Sequence, residues 1–120
     1  MSEHAAILDL PAALNWLDGD KELFLTLAGM FLERTGQDIL SIRAALDAHD
    51  LPRLAKEAHR LKGSAMEFCA APMVEAAKQL EHSARSGVAN DMSVLYGTMQ
   101  QELDRLTTAL EAIIHTGFPE

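Results

Sequence analysis

Apolar residues recur at steps of three and four along almost the whole chain, the spacing that gathers one face of a helix. From Asp20, a residue suited to an N-cap, the series Leu23, Leu27, Phe31, Ile39, Ile42 and Leu46 is interrupted only at Thr35 and predicts a long helix ending near His49. Asp50 opens the next, with Pro52 in its first turn, and Leu54, Ala58, Leu61, Ala65 and Phe68 form its inward stripe. After Ala70-Ala71-Pro72, Met73, Ala77, Leu80 and Ala84 mark another helix that stops at Ser86-Gly87. Asn90 or Asp91 restarts the chain, and Leu95, Met99, Leu103, Leu106, Leu110 and Ile113 line a last helix closed by Gly117 and Pro119. A short opening helix is expected over about 11–17, entered at Asp9 or Leu10 and ended at Asp18-Gly19-Asp20, with Leu14, Trp16 and Leu17 as a lid. Strand signals are weak, and no Asn-Gly or Asp-Gly hairpin turn occurs. Four amphipathic helices with short connections favour antiparallel neighbours. The expected fold is therefore all-α, an antiparallel up-and-down four-helix bundle with a short N-terminal cap helix, residues 1–120 forming one domain.

Composition narrows the function. The 120 residues are 48% apolar and carry 10 basic against 18 acidic side chains, a net charge of −8. That balance disfavours generic binding to nucleic acid or to an anionic membrane. No apolar run approaches a membrane span and no leader pattern opens the chain, so a cytoplasmic monomer is expected. The single cysteine, Cys69, excludes an internal disulfide and fits a reducing compartment. The chain is too short for a complete kinase and holds no Gly-rich phosphate loop. No histidine pair recurs at a ligand spacing, and no metal or other cofactor is expected in the chain.

One helix breaks this pattern. Arg53, Lys56, Arg60 and Lys62, four of the ten basic residues, fall in a window whose only acid is Glu57. At about 100° per residue, Lys56 and Lys62 lie about 60° either side of His59, while the apolar stripe lies on the other side of the helix. His59 is thus expected on an exposed basic face. Gly63, one turn further on the same face, costs about 1 kcal/mol relative to Ala in a helix interior, so close approach of another molecule is its expected reason. An exposed neutral imidazole is a nucleophile near pH 7, and a neighbouring ammonium, Lys62 above all, can neutralise a phosphoryl group arriving on it. Neighbouring cations also disfavour imidazolium, preserving that nucleophile.

His59-Arg60-Leu61-Lys62-Gly63-Ser64-Ala65, extended through Phe68 to Ala70, resembles the HxLKGS(A/S) signature of histidine-containing phosphotransfer (HPt) domains. Phe31-Leu32-Glu33, Leu46-Asp47-Ala48-His49-Asp50, Leu80-Glu81 and Ala84-Arg85-Ser86-Gly87 are similar to the family's pattern elsewhere, so the resemblance covers nearly the whole chain. It implies a four-helix bundle and a phosphorelay carrier without turnover of its own. His59 would take a phosphoryl group from a receiver-domain aspartate and pass it to another; Lys62 would stabilise that group and Gly63 would leave room for the receiver. Arg60, Lys56, Ser64 and Met66 are the candidates for docking or local support, Met66 as part of an apolar rim. The implied partners are receiver domains of response regulators or hybrid histidine kinases, and the Mg2+ the transfer needs would sit on the receiver. The chain departs from the family at Cys69, ten positions after the histidine, where Gly is usual; this puts the turn geometry in question, and the thiol itself reads as a small buried hydrophobe. The rival readings are an HPt-like adaptor that is never phosphorylated and a histidine kinase fragment. The latter is disfavoured because Arg60, rather than an acid, follows His59. His4, His49, His82 and His115 lack the motif's surroundings.

Overall fold

The computed structural model describes residues 7–87 and 91–119, and among these all regular structure is helical. Five helices follow in order: α1 (Leu10–Trp16), α2 (Lys21–Asp47), α3 (Leu51–Met66), α4 (Ala71–Ser86) and α5 (Met92–Thr116). The first three are started by aspartates whose carboxylates accept an otherwise orphaned backbone N–H: Asp9 from Ala12, Asp20 from Leu23 and Asp50 from Arg53. Pro sits in the first turn of α1, α3 and α4, where its missing N–H costs no helical bond. Asp91 stands at the N-cap of α5; Asn90, the other expected start, lies outside the described residues.

Packing runs α2 on α3, α3 on α4, α4 on α5 and α5 back on α2, the closed neighbour order of an up-and-down bundle, with α1 against α2. The stripes expected for α3 and α4 are buried throughout. On α2 the buried line is Phe24, Ala28, Phe31, Thr35, Asp38, Ile42 and Ala45; of the expected stripe Phe31 and Ile42 lie on it, Leu27, Ile39 and Leu46 pack partly buried at its margin, and Leu23 is exposed. Thr35 belongs to that line because its hydroxyl donates to the Phe31 carbonyl at 2.6 Å, which satisfies the only polar group it brings inside. At one end Phe68 takes the edges of Phe24 and Phe31, with ring centroids 5.6 and 5.3 Å away. Leu14 and Leu17 pack against the core as the expected lid, joined by the buried Leu8, Leu10 and Ala13, but Trp16 departs from expectation and is 79% exposed. No helix among the described residues is long and apolar enough to cross a membrane.

Three of the junctions close on residues other than glycine in the left-handed region: Asp18 (φ 54°), His49 (φ 52°) and Cys69 (φ 51°). Gly87 (φ 75°) closes α4 as expected. At Cys69 a β-carbon is forced where glycine would be unstrained, which explains why departure from glycine concerns the turn. The Cys69 carbonyl accepts the Asp9 N–H at 3.0 Å, so the same turn anchors the entry to α1.

Candidate functional site

The inward stripe of α3 fixes which residues can face solvent, and His59 projects midway along the opposite side with 60% of its side chain exposed. Its Nδ1 lies 3.0 Å from Glu81 Oε2 on α4. Glu81 is buried, and three bases converge on it: besides His59, Lys62 Nζ donates to Oε1 at 2.7 Å, and Arg85 donates to Oε2 through Nε at 3.0 Å and pairs with it through Nη2 at 2.9 Å. Burial alone would raise this carboxyl's pKa, but the hydrogen bonds from Lys62, Arg85 and His59 outweigh it and lower it to about 2. Glu81 is therefore an acceptor at neutral pH, and the proton of the His59–Glu81 bond belongs to Nδ1. With Nδ1 turned to Glu81, Nε2 is the nitrogen that bears the lone pair in a neutral imidazole. Such an arrangement can present an oriented nucleophile.

The sequence places mainly cations around His59, with Glu57 the one acid of that window; the facing helix adds the carboxylate that holds His59 and Lys62. Glu81 stands in the Leu80-Glu81 pair and next to the buried positions Ala77, Leu80 and Ala84, so an acid at the margin of an apolar stripe was the available signal. Its pairing across two helices is not expressed in local spacing. Arg85 joins the site by the same route, one turn further along α4.

The remaining candidates divide by position. Arg60 reaches across to buried Asp38 of α2 at 2.7 Å and to Glu57 at 3.2 Å, which ties α3 to α2. Ser64 donates to the Arg60 carbonyl at 3.3 Å within its own helix. Lys56 is exposed. A β-carbon on Gly63 would meet nothing within 4 Å, so packing within the chain gives no reason for glycine there. Gly63 and Met66, the latter 56% exposed, instead border an open, mainly apolar groove of about 790 Å3 with Trp16, Leu17, Leu27 and Val74. A second, charged groove of about 490 Å3 lies beside Glu81 and is lined by Lys62, Lys78, His82 and Arg85. His49, His82 and His115 are exposed, and His4 lies outside the described residues. Among the described residues no three His, Cys, Asp or Glu side chains gather as a metal site.

Comparison with known proteins bears on this geometry. A model of the Hpt domain family matches residues 26–114. Among solved structures, the chain is similar to histidine-containing phosphotransfer protein B from Pseudomonas aeruginosa PAO1, at 24% identity and a TM-score of 0.84 over 92% of this chain and 96% of the other. It is likewise similar to the HPT domain of a sensor hybrid histidine kinase from Shewanella, at 18% identity and a TM-score of 0.79 with the same coverages. No curated protein matches the sequence. The family match covers most of the chain, including the whole of α3 and α4, and the two structures share its bundle: the chain belongs to the Hpt domain family.

Proposed function

We propose that this protein is a phosphorelay intermediate in which His59 accepts a phosphoryl group from a receiver-domain aspartate and passes it to the aspartate of another receiver. The observation that carries this reading is the exposed imidazole whose Nδ1 is held by Glu81 at 3.0 Å, leaving Nε2 as the nucleophile. In the receiving step the Nε2 lone pair forms the N–P bond while the P–O bond to the receiver carboxylate breaks, and that carboxylate leaves with the electron pair. Lys62, 21% exposed and one turn from His59, supplies positive charge where the phosphoryl oxygens arrive. Gly63 keeps the receiver's approach clear of a side chain. The Mg2+ of the transfer belongs to the receiver in this scheme, and the apolar groove bordered by Trp16 and Met66 receives its docking face. The chain itself contributes a nucleophile and a docking face, with no turnover.

The test is phosphorylation of the purified protein by phosphoramidate, followed by intact-mass and site-localised analysis beside a His59→Gln control. The expected result is one acid-labile phosphoryl group, on His59 and absent from the control. No labelling, or equal labelling of His49 and His82, overturns the carrier reading in favour of an adaptor.

A further inference from the structure

The bond between His59 and Glu81 has a role after phosphorylation as well as before it. We propose that Glu81 keeps the proton on His59 Nδ1 through the whole carrier cycle, so that the phosphoryl group is received and given up without a proton leaving or entering the ring. This rests on the carrier reading above and extends it to the phosphorylated state.

When neutral imidazole attacks through Nε2, the immediate product is a phosphoimidazolium that still bears the Nδ1 proton. In water such a ring can release that proton near neutral pH. The return step then becomes unfavourable, because the departing group would be an imidazolide anion. With the proton retained, the N–P electron pair returns to Nε2 and the ring departs as neutral imidazole. A buried carboxylate on the far ring nitrogen is suited to retaining it: it fixes the tautomer and stabilises the ring cation. An amide in that place would fix the tautomer without offering a negative charge.

The surroundings favour the same outcome. The groups facing this bond from α4 are Glu81 and Arg85, with Lys78 and His82 further along the charged groove. On α3 they are Lys62, exposed Lys56, and Arg60, which is engaged by Asp38 of α2. Lys62 and Arg85 both draw on the charge of Glu81 while the ring is bare. An arriving phosphoryl group competes for these cations, and each one it attracts leaves more of the carboxylate's charge to the Nδ1 proton. Glu81 is thus a positioning residue whose grip on the ring tightens on loading.

The experiment is a titration of the phosphoramidate-labelled full chain by 31P and ring 15N NMR from about pH 5 to pH 10. The same labelled chain unfolded in urea gives the reference, and Glu81→Gln is run alongside. Expected is a phospho-His59 ring midpoint about one pH unit or more above the unfolded reference, falling back to that reference in Glu81→Gln. A folded midpoint at or below the unfolded one overturns the proposal, as does an upward shift that Glu81→Gln retains. If Glu81→Gln loses its helical circular dichroism, the folded-versus-urea comparison of the native sequence decides alone. Failure to label His59 overturns the carrier reading and this proposal together; a labelled but unshifted His59 overturns this proposal only.

Discussion

Glu81 couples the site to the stability of the fold. Its pKa is lowered from 4.5 to about 2, so the folded state binds fewer protons than the unfolded state between those values. The stabilisation is fully present above about pH 4.5 and is lost as pH falls through 2, on the order of 3 kcal/mol at most, since solvent screening of the partly exposed partners reduces it. Urea unfolding at pH 6 and pH 3 should show this loss, and Glu81→Gln should flatten the difference. Cys69 carries a cost of the opposite kind. Its φ of 51° places a β-branch-free but still substituted residue in left-handed backbone, and Cys69→Gly relieves it. After allowance for the greater freedom of glycine in the unfolded chain, a net stabilisation of about 0.5–1 kcal/mol is expected. A higher urea midpoint at unchanged slope is the measurement.

At the level of helices, much of the fold is legible because caps and apolar periodicity are local. Asp9, Asp20 and Asp50 are each followed by a helix, and the stripe from Leu54 to Phe68 is buried as spaced. Asp50→Ala should therefore cost about 1 kcal/mol in chemical denaturation by removing the acceptor for the Arg53 N–H. The reading of α2 finds the right side of the helix, with Phe31 and Ile42 in the core and Leu27, Ile39 and Leu46 packed at its margin, but centres the stripe off its buried line at Leu23, because two overlapping apolar lines are available. The Leu23–Leu27 line and the Phe24–Ala28 line both meet at Phe31, and tertiary packing of Phe24 against Phe68 selects the second. Trp16 misleads for a related reason, since a large apolar residue beside a helix end reads as buried and instead borders a groove. His59 and Lys62 are legible from one helix; Glu81 and Arg85 require knowing that α4 packs on α3.

Across the whole molecule, a net charge of −8 is combined with a basic stretch on α3 and an apolar groove that begins beside Gly63. A partner steered by the first and seated on the second should lose transfer rate when Met66→Glu puts an anion on the groove's rim. Phosphoramidate labelling of His59 should be unchanged in that variant, because a small donor needs no docking; single-turnover transfer with a cognate receiver distinguishes the two. The groove is also walled by Cys69, whose carbonyl anchors Asp9 at the entry to α1 and whose partly buried thiol has its pKa raised by desolvation and by Asp9. As the chain's one cysteine, it is a built-in reporter. Detachment of α1 would unveil the sulfur and speed its alkylation, as Leu10→Ala should show, whereas a receiver seated in the groove would slow the same reaction, so partner binding can be timed on the native sequence without attaching a dye.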